Sequence, residues 1–591
     1  MNKHAVLALL AALSLLPAAQ AADMNKVLRV AMNAPETGFD PAKVSDLYSS
    51  TITENIYDPL VSYDYLARPA RLVPNTISAL PTVSADGKVY TFRIKPGIYF
   101  ADDAAFKGKK RELTAADYAY SLKRHLDPGI NSPWSYLLEG RFVGTDELVK
   151  AAGKGALNYD APVEGIKVVD KYTLQLTLRD TNFNFLSILA MPAFGAVARE
   201  VIDANRDNTN AHPVGTGPYL LKEWKPGSKI VLEANPGFRK VVFDSKPGND
   251  PVDKAVVRVL QGKTLPRIGR IEVAVIEEEQ PLWLSFLNRQ LDISGIPQAA
   301  LQEALVIDPK DPLKVKLADK YARQGMQLQR MQMPEVTFHF FNMQDPVVGG
   351  DSKDKIALRR AIAMAFPVSE TIATIRRGQA VPMNYIVPAG VAGHNPAFRG
   401  ASKYDPAAAN ALLDRFGYRI GSDGYRSRPD GKPLAIELAC GTSATDKQWN
   451  EYWQKAFDNL KIHLTFRQGK WNELAKANRQ GKLQMWGMAW GADYPDGENF
   501  MQLLYGKNAG DSNSADFKNA EYDRLYEASL KLPDGAERNR LYDAMNKIAV
   551  VQQPWIFGDV RVRNTLAHPY VKGLKLHPLL NTTWRYLDLQ K

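Results

Sequence analysis

The residues best suited to chemistry lie between Trp486 and Tyr505, in the stretch WGMAWGADYPDGENFMQLLY. Trp486, Trp490, Tyr494, Phe500 and Tyr505 crowd this segment, and Gly487, Gly491 and Gly497 interrupt them. Glycine lets a backbone come close to a ligand, and aromatic rings supply broad apolar walls with a polar edge. Asp493 follows Trp490 by three positions. A carboxylate between such walls sits in a lower effective dielectric than water and attracts a cation more strongly. The pattern suits a ligand carrying a protonated amine. A second reading of the same residues stays open, in which Asp493 to Gly497 form a surface turn and the tryptophans are core.

Other chemistry lacks its signature. Gly262-Lys263-Thr264 ends like a phosphate-binding loop, but the glycine required before it is replaced by Val257. Gly215-Thr216-Gly217 lacks the third glycine of a dinucleotide fingerprint, where Leu220 stands. The 8 histidines are scattered, with no local zinc spacing. No Gly-x-Ser-x-Gly elbow occurs. The expectation is a protein that binds without catalysis, with no metal and no cofactor.

Several elements must position that segment. Val27 to Met32 (VLRVAM) reads as an opening strand, and Asn55 to Asp64 as a helix end running into a strand. Tyr90 to Ile94 alternates, Lys95-Pro96-Gly97 turns, and Ile98 to Phe100 follows, which predicts a hairpin. Thr114 and Asp117 form the start of a helix that Asp127-Pro128 stops. Strands are expected at Ile166 to Val169, Thr173 to Leu178, Leu220 to Trp224, Ile230 to Glu233, Ile271 to Ile276 and Phe338 to Phe341. Helices are expected at Lys355 to Phe366, from Asp405-Pro406 to Gly417, at Asp446 to Leu460 and at Ala536 to Val551. The lone cysteine, Cys440, ends an apolar run and reads as a buried strand residue. Strands and helices mix without a strict alternating rhythm, so the fold class is α/β with lobes wound from discontinuous segments.

The amino-terminal residues set the compartment. Met1 to His4 is positively charged, Ala5 to Leu16 is apolar, and Ala19-Gln20-Ala21 offers a cleavage site, the layout of a secretory signal peptide over residues 1–21. About a dozen apolar residues fall short of the about 20 that span a bilayer. No cysteine near the cut offers a lipid anchor, so a periplasmic, soluble mature chain is expected. The net charge of +11 is dispersed over 591 residues and accompanies no nucleic-acid motif, which argues against nucleic-acid partners.

Trp490-x-x-Asp493 followed by Tyr494-Pro495-Asp496 resembles a signature of the peptide-binding class of solute-binding proteins of bacterial ABC importers. Gly215 to Tyr219 with Trp224 and Asn235-Pro236, Thr114 to Arg124, and Leu358 to Ala361 after Asn342 are similar to further stretches of that class, in the same order. The resemblance implies a two-lobed periplasmic binding protein clamshell. Lobe I would comprise residues 22–57, 191–279 and 552–591, an inserted subdomain residues 58–190, and lobe II residues 280–551. It implies a monomer that takes a peptide or other small solute between its lobes and delivers it to ABC transporter permease subunits. Asp493 would hold the α-ammonium, with Trp490, Gly491, Ala492, Tyr494 and Trp471 around the ligand. Gly487 stands where some oligopeptide binders carry an arginine, so no carboxylate anchor carries over. Relatives of this kind also bind haem, glutathione, opines and sugars, and the same cleft would suit an extracytoplasmic chaperone or sensor subunit.

Overall fold

A computed structural model describes residues 22–400 and 402–590. The signal-peptide reading of residues 1–21 lies outside the described residues.

The first lobe grows from the VLRVAM segment. Its strand runs Asp23–Met32 and lies parallel to Ile268–Val275, which pairs in turn with Lys229–Ala234 and then Tyr219–Lys225. The helix Leu47–Ile56 is capped by Asp46, whose carboxylate accepts from the Ser49 amide. Leu28, Val30, Ile52, Ile56, Ile230, Leu232 and Ile271 bury their side chains between helix and sheet, together with Leu574, Leu587 and Leu589 from the carboxy terminus. Gly215 and Gly217 are required where the following chain crosses the end of this helix. A Cβ at Gly215 would lie 2.0 Å from the Ile56 carbonyl oxygen, and one at Gly217 2.6 Å from that of Asn55.

The inserted unit carries a four-stranded antiparallel sheet of Thr82–Val83, Val89–Arg93, Thr173–Thr177 and Ile166–Asp170. The helix Ala115–His125 begins in a capping box made by Thr114 and Asp117. The expected hairpin from Tyr90 to Phe100 does not form. Gly97 turns the chain at φ +78°, but Val89–Arg93 takes Thr173–Thr177 as its partner. Ile98 and Phe100 are buried and bond across to Leu113 and Arg111 instead, so the core of this unit overrides the local pattern.

The second lobe centres on a five-stranded sheet in the order His463–Gln468, Ala435–Cys440, Met485–Gly491, Glu335–Phe341, Trp555–Phe557. Helices Lys353–Ala365 and Ala444–Leu460 cover one face, and Ala520–Ser529 and Ala536–Gln552 the other. Arg359 is wholly buried and donates to the carbonyls of Val348, Gly350, Gln552 and Gln553, tying one helix to the end of another. Trp555–Phe557 pairs with Phe338–Phe340, so this sheet extends past the boundary at 551 read from sequence. The strand Asp559–Ala567 then leaves the second lobe. It pairs with Ala380–Pro382, Gln327–Gln332 and finally Ile293–Gly295, whose neighbours pack against Ala31 and Ile276 of the first lobe.

Candidate functional site

The strand Met485–Gly491 has two different edges. Towards Glu335–Phe341 it is paired along its length. On the other side Ala435–Cys440 reaches only Met485 and Trp486. Hydrogen bonds join Asn342 N to Gln484 O at 2.9 Å and Ala492 N to Pro334 O at 2.8 Å. The alternation of an antiparallel ladder therefore directs the backbone groups of Trp486, Met488 and Trp490 into the sheet, and those of Gly487, Ala489 and Gly491 to the open edge. Ala489 and Gly491 are exposed, and a Cβ built at Gly491 meets nothing within 4 Å.

Past this edge the chain turns through Asp493 to Asn499, where each polar side chain has its own task. Asn499, wholly buried, accepts from the Asp493 amide at 3.0 Å and donates to Asp493 Oδ2 at 2.9 Å. Its oxygen also accepts from Trp490 Nε1 at 3.1 Å, so one amide fixes both signature residues. Asp496 accepts from the Glu498 amide and from Arg538, stiffening the turn. Glu498 accepts from the hydroxyls of Tyr494 and Tyr526, both at 2.5 Å.

The Asp493 carboxylate faces a cavity between the lobes of about 20 Å³, room for about one water with the lobes in this arrangement. The opposite walls belong to the first lobe and its insert, among them Glu54, Tyr63, Asn75, Met191, Leu580 and Arg585. Asp493 retains some accessible surface yet is deeply enclosed, and burial pushes its carboxyl up to about 7, with only the Asn499 bond opposing. Glu54 is pushed to about 7 for the same reason, against the pull of Arg585. Among the described residues no group of three or more His, Cys, Asp or Glu could hold a metal ion.

The other residues singled out in sequence fall in different places. Trp490 shares the inward face of its strand with Trp486 and Met488 and packs on the second lobe's own core. Gly491 and Ala492 form the open edge and the turn beside it. Tyr494 has no exposed surface and is embedded in the apolar core of the insert, across the lobe boundary, so it is a packing element in this structure and touches no open space. Trp471 starts the helix Trp471–Arg479, is 40% exposed, and is not among the residues lining the cavity. Glu54, Tyr63 and Arg585 were missed. They reach the cavity from distant parts of the chain, and no local spacing marks them.

The family model described as "Bacterial extracellular solute-binding proteins, family 5 Middle" matches residues 71–512. The chain belongs to this family of bacterial extracellular solute-binding proteins. This family 5 protein is 24% identical to di/tripeptide-binding protein 2 of Pseudomonas aeruginosa over 94% of the chain and 93% of the relative. It is 23% identical to heme-binding protein A of Haemophilus influenzae over 95% of the chain and 91% of the relative. In fold it is similar to the ABC transporter-associated periplasmic binding protein DppA of Helicobacter pylori, solved with the peptide STSA, with a TM-score of 0.74 at 22% identity over 96% and 98% of the two chains. The family 5 fold is the two-lobed periplasmic binding protein architecture, and among the described residues no helix is long and apolar enough to cross a membrane.

Proposed function

We propose that this protein captures a peptide or peptide-like solute with a free amine in the periplasm and passes it to the permease of an ABC importer, performing no chemistry. The observation that carries the reading is an enclosed carboxylate, Asp493, facing an interlobe cavity beside a strand edge with open backbone groups. An extended ligand would add to that edge at Ala489 and Gly491, main chain to main chain. Its ammonium would take the charge-assisted bond for which Asp493 has no cationic partner within 4 Å among the described residues. Relatives named for di- and tripeptides and a structural neighbour solved with a tetrapeptide support the ligand class. Binding would work by favouring the closed arrangement, with the lobes meeting over the ligand.

The test is calorimetry with trialanine and N-acetyl-trialanine. A charge-assisted bond of about 2–3 kcal/mol makes trialanine about 30- to 150-fold tighter, and Asp493→Ala should remove that difference. Equal affinity for the two peptides, or binding of haemin in preference to both, would overturn the reading. Native mass spectrometry of the protein as purified is expected to show an amine-bearing ligand in the cleft.

A further inference from the structure

The open edge at Gly487, Ala489 and Gly491 has a face as well as a row of backbone groups. Directly opposite these three residues on the neighbouring strand stand His339, Thr337 and Glu335. Cross-strand partners point to the same side of a sheet, and this side is the reverse of the one on which Trp486, Met488 and Trp490 pack. His339 fills the place over Gly487, where a Cβ would lie 2.7 Å from its Nε2. Towards Gly491 the face is open: Ala489 and Gly491 are exposed, and a Cβ at Gly491 meets nothing within 4 Å.

Beside that opening lies a surplus of positive charge. Glu335 is buried, and its carboxylate accepts from Arg561 Nε at 2.5 Å and Nη2 at 2.9 Å, and from Arg563 Nη2 at 3.3 Å. Burial works to raise the Glu335 carboxyl, yet the two arginines hold it below its ordinary value, so it stays ionised. Both arginines belong to the strand Asp559–Ala567 and keep 32% and 43% of their side chains exposed. Nη1 of each, and Nε of Arg563, make no hydrogen bond among the described residues, so these donors are free for a ligand. The next acid on the strand, Asp559, is taken by Arg376 at 3.0 Å. Arg376, Arg561 and Arg563 thus share two carboxylates, those of Glu335 and Asp559. The Tyr48 phenol of the first-lobe helix is raised by burial and pulled back by Arg563 and Arg561, in keeping with guanidiniums that face the other lobe. Asp46 of that lobe spends its oxygens on the Ser49 amide and the Thr37 hydroxyl.

We propose that this face is a subsite for a side-chain carboxylate, and that the protein prefers peptides with an aspartate or glutamate among their first two residues, read by Arg561 and Arg563. This rests on the amine-recognition reading of Asp493, which sets where the ligand begins. From there an extended ligand runs along the edge past Gly491 and Ala489. Alternation places one of its first two side chains on the open face, over residues too small to block it. The arginines stand on the face and not along the edge, so they meet a side chain, whereas a terminal carboxylate continues in the plane of the sheet. A lysine in the same place meets two like charges.

Calorimetry with two pairs of tripeptides tests this: Glu-Ala-Ala against Gln-Ala-Ala, and Ala-Glu-Ala against Ala-Gln-Ala. Each pair differs only in one side-chain charge. In one of the pairs the native protein should bind the glutamate peptide at least about tenfold more tightly, and the lysine peptide of that pair should bind more weakly than the glutamine one. Arg563→Gln should reduce the ratio to about threefold or less. Arg563 makes one long bond to Glu335, so this variant leaves the bidentate Arg561–Glu335 pair in place. Ratios near one in both pairs overturn the proposal, and that measurement needs no variant to fold. Persistence of the full ratio in Arg563→Gln, with native circular dichroism, also overturns it. Trialanine against N-acetyl-trialanine separates the two readings. If trialanine is favoured while both glutamate ratios are near one, amine recognition stands and the carboxylate subsite fails; if no tripeptide binds, both fail.

Discussion

Proton competition at Asp493 gives the sharpest test of the site. Burial raises this carboxyl to about 7, so in the empty protein it is largely protonated at mildly acidic pH. An ammonium binds only the ionised form, and its presence in turn favours ionisation. Protons and ligand therefore compete. The sign follows: affinity is highest above pH 7 and falls as pH drops through 7, approaching tenfold per unit. The ionised fraction is about 0.9 at pH 8 and about 0.03 at pH 5.5, a loss of about 30-fold or about 2 kcal/mol. The ligand's own amine, with a pKa of about 8, sets the upper end of the useful range. Trialanine is the right probe, because its amino terminus is its one cationic group. Calorimetry at pH 6 in two buffers of different ionisation enthalpy should count close to about one proton released per ligand bound. Asp493→Asn should abolish both the slope and the proton release. A dissociation constant that stays flat from pH 8 to 5.5, or a slope that survives in Asp493→Asn, would refute the placement of the ammonium on this carboxylate.

The same shift makes the empty protein lose stability as pH rises from the ordinary aspartate value towards 7, so the thermal shift produced by trialanine should be larger at pH 7.5 than at 5.5 in scanning fluorimetry. Arg141 Nη2 lies 3.9 Å from Glu498 Oε1 and Asn184 Nδ2 donates to Oε2 at 3.4 Å, both across the lobe boundary. Arg141→Ala should weaken every ligand about 3- to 10-fold and enlarge the radius of gyration of the empty protein in small-angle scattering; no change in either argues against a closing contact. Arg359→Leu should cost about 3 kcal/mol by leaving carbonyls unpaired, read as a lowered midpoint of the second lobe in calorimetry. Cys440, 8% exposed, should resist a thiol reagent in the native protein and react on unfolding.

Much of the architecture was legible where a single local signal decided it. The Thr114–Asp117 cap, the strand pair around Asp170-Lys171 and the helix ending at Leu460 all form where the residues place them. The hairpin after Tyr90 was misread because its turn is local while the choice of strand partner is not. Asp493 stood out through its aromatic neighbours, but the face of those neighbours was hidden. Trp486 and Trp490 are separated by an even number of residues, so within a strand they share one side, and that side packs inward. Glu54 and Arg585 carry no signal at all. Their meeting with Asp493 requires a helix near the start of the chain, a turn near its end and a strand from the other lobe to converge, and only tertiary packing brings that about.

Tyr494 follows Asp493 directly and is rooted in the hydrophobic interior of the insert. With Asp493 holding the solute as proposed, the anchor and the plug between the jaws would be consecutive links of one chain. Any pull that uproots the phenol must drag the neighbouring carboxylate with it, so on the proposed function unloading the cargo and parting the jaws would be one motion, and the proposed permease would need only to pry.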